Sequence, residues 1–357
     1  MTDFASAHAA DGEARALAEA CAAQLGDPDG HTLGFVYATD PLAGALGDIV
    51  EILKSRTGIA DWIGTVGIGV CAPGTEHFGH PAISVLTGRF AGDAYRMLPS
   101  IDDPDDVAPA LDANFMAGLG VVHGDPRNAQ TIDIVSVLGG EHGLYLVGGI
   151  SAAESAFPQV AGDIVDGGVS GVLLGGKLGV AVGLTQGCYP IGPTHDVSGG
   201  EGNLLVSLDD RPALEVLCED LGVADGADPR PWLNNIHAAL PVAGSDMGDY
   251  LVRNLIGIEP SEGLVAIADE VAPGDRLLFV RRDAESAAKD LKRMLEDLQV
   301  RAGGRPKAGL YYSCVARGPN LFDDEAHELT AIRDVFGDIP IAGFFGNGEI
   351  SNDRVYG

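Results

Sequence analysis

Fifty-one of the 357 residues are glycine, and they stand inside and at the ends of short apolar runs, not in low-complexity tracts. Trp62 to Val70 (WIGTVGIGV) and Ile341 to Ile350 (IAGFFGNGEI) show the pattern. Glycine so placed breaks apolar segments into strands, turns and close backbone crossings. With 46% apolar residues around it, the composition implies packed structure and not disorder.

The remaining periodicity fills in the elements. Helical spacing of apolar residues predicts helices over Ala14 to Leu25, Leu42 to Arg56, Pro212 to Leu221, Ala284 to Val300 and Glu325 to Phe336. In the fourth of these, Leu291, Met294, Leu295 and Leu298 form one stripe. Apolar and β-branched runs predict strands over Thr32 to Ala38, Trp62 to Val70, Pro81 to Thr87, Leu204 to Leu208, Tyr250 to Ile258, Leu264 to Ala268, Arg276 to Arg281, Ala308 to Val315 and Ile339 to Phe344. Between them, Ile132 to Leu138, Leu144 to Val147, Gly162 to Asp166 and Val169 to Thr185 read as a β-rich middle, the last as a hairpin turning at Gly175-Gly176. The acidic, proline-broken Ile101 to Asp112 reads as a solvated connection.

Hairpin-length links among these strands predict an α+β (mixed α/β) fold. It is expected as two layered domains with mixed or antiparallel sheets flanked by helices. Length supports about two domains at roughly 150 residues each. The expected division is an N-terminal helical leader (residues 1–30), a first domain (31–200) and a second (201–357). No repeat of 20–50 residues is visible. The likeness of Trp62 to Val70 and Ile341 to Ile350 fits two related α/β halves, or chance in a glycine-rich chain.

Lys and Arg number 22 against 52 Asp and Glu, a formal charge of 22 − 52 = −30. Such a surface repels phosphate backbones and anionic lipid heads, which argues against a nucleic-acid partner. The N-terminus lacks a basic n-region, and the most apolar stretch, Val169 to Leu184, is short and carries Lys177, so neither a signal peptide nor a membrane span is expected. Cys21, Cys71, Cys188, Cys218 and Cys314 form no CxxC pair, which fits a reducing compartment and a cytoplasmic location.

Familiar chemical motifs are weak. Gly67-Ile68-Gly69 with Ala72 matches a dinucleotide fingerprint, but Pro73 and Gly74 stand where the phosphate-binding helix should begin. Gly175-Gly176-Lys177 lacks the spacing of a P-loop. His77 and His80, near Cys71 and Glu76, are the densest group of metal-ligand types, although an i, i+3 pair in a Gly-Pro-rich loop also reads as a polar turn. His195 adjoins Asp196, but adjacent residues rarely orient one another as base and partner, and no GxSxG elbow occurs. Cys314 ends the strand AGLYYSC. Arg317, three residues on, offers a fork for a carboxylate, and the alternative for Cys314 is a small buried side chain. Glu349 follows a strand whose Gly343, Gly346 and Gly348 allow tight turning, with Asn347 tolerant of a left-handed conformation.

At these C-terminal residues the sequence resembles the FIST family of sensory domains. The stretch from Gly187, GCYPIGPTHDVSGGEGNLLVSLDDRPALEVL, is similar to the family's linker into its C-terminal part. Tyr250 to Pro260 (YLVRNLIGIEP), Gly274 to Asp283 (GDRLLFVRRD), Cys314 to Gly318 (CVARG) and Ile339 to Ile350 resemble its later motifs in order. Ile63 to Val70 and Leu146 to Ser151 match more loosely. The resemblance implies a small-ligand sensor in bacterial signalling, not an enzyme, with amino acids or related metabolites as ligands and haem in some gas-sensing members. Carried over by motif, the ligand residues are Arg317, Asn347, Glu349, Cys314, Arg253, Gly148 and Gly149. In the haem alternative, a nitric-oxide or gas sensor, the axial ligand is His77, His80 or His195. A separate partner such as a histidine kinase or cyclase, or a homo-oligomer, is expected to pass the signal on. Replacing Arg317 by Ala is expected to abolish ligand binding and leave the empty protein's melting temperature nearly unchanged.

Overall fold

The computed structural model describes residues 3–185, 187–223, 230–241, 250–322 and 326–356. It is an α+β fold with mixed and antiparallel sheets. The chain forms two compact units that are not consecutive in sequence: residues 1–183 with 295–357, and residues 184–294.

The first unit repeats one motif, a strand, a helix and a second strand parallel to the first. It occurs as Leu33–Thr39, Leu46–Thr57 and Asp61–Gly67, again as Ala117–Gly124, Thr131–Ser136 and Leu146–Ile150, and a third time as Gly309–Cys314, His327–Phe336 and Ile341–Gly346. Each copy is followed by a hairpin, and each hairpin leaves its own sheet. The first (Gly69–Ala72, Thr75–Phe78) pairs with Ile341–Gly346 of the third copy. The second (Gln159–Ala161, Asp163–Val165) pairs with Asp61–Gly67 of the first. The third (Glu349–Asn352, Arg354–Tyr356) pairs with Leu146–Ile150 of the second. The three sheets are thus tied in a ring by exchanged hairpins.

The glycines make this possible at one recurring position. Gly64 stands opposite Val36, Gly148 opposite Val122 and Gly343 opposite Tyr311. A Cβ on each would lie 1.7, 1.8 and 1.7 Å from the facing carbonyl oxygen. One residue further along the first strands, Tyr37, His123 and Tyr312 converge from the three copies. The Tyr37 and Tyr312 hydroxyls are 2.8 Å apart, and His123 Nε2 is 3.3 Å from Tyr37 Oη. Burial lowers the His123 pKa to about 3, so its ring is neutral.

Several elements differ from the sequence reading. Phe4–Ala10, within the expected helical leader, is a strand paired along its length with Ala82–Gly88. Ile132 lies in the helix Thr131–Ser136, and Val137–Glu141 continues it as a wider turn. The apolar run there is too brief for its periodicity to separate helix from strand. Val169–Gly175 is a strand, but no second hairpin strand follows among the described residues up to Thr185; its partners are Ala117–Gly124 and Tyr95–Ile101. The expected start of the last helix, Glu325, lies outside the described residues.

The second unit is a closed antiparallel barrel. Arg276–Arg281, His195–Glu201, Leu204–Leu208, Leu264–Ile267, Tyr250–Glu259 and Ile236–Pro241 pair in that order, and the last pairs back with the first. Its core includes Leu205, Leu208, Ile236, Val265, Leu277 and Phe279, packed with Leu214 and Leu217 of the helix Ala213–Asp220. Closure removes the exposed edges that an open sheet of this size would present. No helix of the described residues is long and apolar enough to cross a membrane.

Candidate ligand site

A buried ionisable group of the first unit forms where the third copy meets the first hairpin. Strand Gly309–Cys314 supplies Tyr311 and Ser313, the turn after it supplies Arg317, and helix His327–Phe336 supplies Glu328. Glu328 lies on the helix's buried stripe with Leu329, Ile332 and Phe336, so its carboxylate points into the interior. There it is saturated: Tyr311 Oη donates at 2.9 Å, Ser313 Oγ at 3.1 Å and Arg317 Nε at 2.7 Å.

Arg317 is 3% exposed, and its charge is retained because Glu328 offsets the cost of burial. Only Nε is well used. Nη2 lies 2.7 Å from Glu328 Oε1 but off hydrogen-bonding alignment, and neither Nη1 nor Nη2 has a hydrogen-bond acceptor. Two buried donors of a guanidinium without acceptors are costly.

Two further carboxylates face the same charge. Glu76, on the hairpin strand Thr75–Phe78, accepts from the Glu328 and Leu329 N–H groups at the start of the helix, while its Oε1 lacks a partner. Burial, then the Glu328 charge, raises its pKa to about 7. Glu349 is partly exposed as a residue, but its carboxylate is enclosed and accepts from Cys314 N–H. Burial raises it to about 7 against the pull of Arg317. Chiefly through burial, Glu76 and Glu349 are therefore divided between protonated and ionised forms near neutrality. Gly318 (φ +54°) lets the backbone pass Phe78 and Phe345, to which a Cβ would approach within 2.9 and 3.0 Å.

The residues expected from sequence fall in different places. Arg317, Glu349 and Cys314 come together. Asn347 is exposed, and its Nδ2 donates to the Ser151 carbonyl at 3.1 Å. Gly149 pairs opposite Glu349, whereas Gly148 meets a packing need against Val122. Arg253 lies in the barrel, where Nε donates to Asp269 at 2.6 Å. His77 and His80 form a chain with His8: His8 Nδ1 is 3.1 Å from His77 Nε2, and His77 Nδ1 is 3.4 Å from His80 Nε2. His195 does not use Asp196. Its Nδ1 is 2.6 Å from Asp209 and its Nε2 3.0 Å from Asp220. Neither His77 nor His195 has a ring nitrogen that could face a haem iron without giving up a partner.

Glu328 is absent from the sequence-based set. A charged residue on the apolar stripe of a short helix was the signal available for it.

Comparison with known proteins identifies the family. The FIST N domain matches residues 32–211, and the FIST C domain matches residues 213–352. The chain belongs to the FIST family. FIST domains are small-ligand sensory domains of signalling proteins, and the family is not a catalytic one. Relatives include the uncharacterized protein Mb0898c of Mycobacterium bovis, 36% identical over 195 residues. The uncharacterized protein MT0656 of Mycobacterium tuberculosis is 36% identical over 198 residues. Each alignment takes in 53% of this chain and 50% of the relative, so the match spans about half the length of these proteins.

The geometry argues against the expectation that Arg317 can be removed without loss of stability. Its loss would leave the Glu328 carboxylate, 0% exposed, without a counter-charge.

Proposed function

We propose that this FIST protein senses a small polar metabolite, such as an amino acid, at the Arg317–Glu349–Glu76 cluster and reports it in the cytoplasm to a signalling partner or by self-association. The observation that carries the reading is the buried Arg317 guanidinium, anchored through Nε with Nη1 and Nη2 lacking acceptors. A ligand carboxylate would supply those acceptors as a fork. Glu349, or the unpartnered Glu76 Oε1, would receive an ammonium or hydroxyl on the other side.

The test is native mass spectrometry of the purified protein, followed by a thermal-shift screen of the twenty amino acids. Arg317→Lys keeps the charge opposite Glu328 but loses the fork, and should weaken the best ligand at least tenfold. Unchanged affinity in both Arg317→Lys and Glu349→Gln would sink the assignment. The haem alternative falls mainly to His80, and predicts a Soret band in haem-supplied protein that His80→Ala abolishes.

A further inference from the structure

Outside the Arg317 cluster, the half-buried imidazoles of His8, His77 and His80 form a second group of chemistry-bearing side chains. His8 lies on Phe4–Ala10 and His77 on Thr75–Phe78, strands of different sheets, and His80 lies just beyond Gly79. The backbone holding them is fixed: the His80 carbonyl accepts from Thr39 Oγ1 at 2.9 Å, and Asp11 N donates to the Pro81 carbonyl at 2.9 Å.

We propose that His8 Nδ1 and His77 Nε2 bind one first-row divalent transition metal, with water completing its shell. Two imidazole ligands at about 2.05 Å from one metal lie about 2.9 Å apart at a right angle and about 3.3 Å apart at a tetrahedral angle. The observed 3.1 Å falls between these values. His77 can donate from Nδ1 to His80 Nε2, the outer hydrogen bond that commonly fixes the tautomer of a ligating histidine. Its Nε2 lone pair then faces His8, and a His8 protonated on Nε2 turns a second lone pair toward it. Without a metal, His8 Nδ1–H can donate to His77 Nε2, and moving the proton to His8 Nε2 frees the second lone pair for a cation.

No third His, Cys, Asp or Glu completes a cluster with them among the described residues. Nitrogen ligation favours copper, nickel or zinc over magnesium or calcium. The site does not depend on the ligand reading. His77 and Glu76 are adjacent on one strand and point to opposite sides, so the metal would sit behind the strand that lines the Arg317 cluster.

Copper(II) titrated into the full chain tests this, read by electron paramagnetic resonance, because the acidic surface also binds cations through oxygen. The expected result is one equivalent with superhyperfine structure from two imidazole nitrogens, competed by zinc(II). His8→Ala and His77→Ala should each reduce the coupling to one nitrogen or none and weaken binding more than tenfold. His80→Ala should keep two nitrogens and weaken binding about tenfold, as loss of an outer partner does. Oxygen-only coordination in the wild type overturns the proposal, as does a two-nitrogen spectrum that survives both His8→Ala and His77→Ala. Circular dichroism of each variant separates a lost ligand from a lost fold.

Discussion

Two buried ionic groups, one in each unit, invert each other. In the barrel, one imidazole, His195, lies between two carboxylates, and both of its ring nitrogens are used. In the repeated unit, Arg317 also faces carboxylates, but it is the anion, Glu328, that is saturated, while two donors of the cation lack acceptors. A closed set of bonds fixes a fold. An open set, held just as firmly, leaves hydrogen-bonding capacity for something else.

The sharpest way to break this contrast is to remove the basic side chain from each group. Arg317→Ala leaves Glu328 buried and unpaired, and should cost about 3–5 kcal/mol in urea unfolding. Adding Glu328→Gln should restore part of that loss. A cost below about 1 kcal/mol would mean that Glu328 finds water or another partner, contrary to its saturation. His195→Ala removes two hydrogen bonds to carboxylates, but Asp209 is half exposed and can be rehydrated. Its expected cost is smaller, about 1.5–3 kcal/mol.

The two groups should also separate by pH. Glu76 and Glu349 rise from 4.5 to about 7, chiefly through burial. Their stabilisation is complete below 4.5 and is lost as pH rises through about 7. For His195, burial lowers the pKa but the two aspartates outweigh it, so the net shift is upward from 6.5. Its stabilisation is complete below 6.5 and is lost as pH rises through that higher value. Burial raises Asp220 as well, which acts in the same direction from 3.8 upward. Asp209 is lowered, mainly by His195, and its contribution is lost only in acid. Melting temperature followed from pH 4 to 9 should therefore lose its fall between 4.5 and 7 in Glu349→Gln with Glu76→Gln, and its fall above 6.5 in His195→Ala. Identical pH profiles in these variants and the wild type would remove the distinction.

Much of the fold was legible because glycine and periodicity act locally. The strand Tyr250–Glu259 and the helix Ala284–Arg301 lie where the pattern places them. What local pattern cannot carry is partnership. Trp62 to Val70 reads as one apolar run, yet Ile68 divides it between two sheets, and nothing in its composition says that Val70 pairs with Phe344 of the third copy. The likeness of Trp62 to Val70 and Ile341 to Ile350 marks two of the three copies, whereas the copy from Ala117 to Ile150 shares little more than the glycine opposite the carbonyl. At the site, Arg317 and Glu349 are visible as charges beside glycine turns and Glu328 only as a charge on an apolar helix stripe, whereas His8 depends on a partner, His77, distant in sequence.

Asn347 offers the smallest and most selective test. It is exposed, and its side chain makes one hydrogen bond, to the Ser151 carbonyl. Its backbone N–H, bonded to the Ile150 carbonyl at 2.9 Å, is untouched by a change of side chain. Asn347→Ala should therefore cost only about 0.5–1.5 kcal/mol. Ligand affinity answers a different question. If Asn347 contacts the ligand beside Glu349, the variant should bind the best amino acid from the screen at least tenfold more weakly despite its near-normal melting temperature. A change below threefold would remove Asn347 from the proposed ligand set and leave that proposal to rest on the buried charges around Arg317.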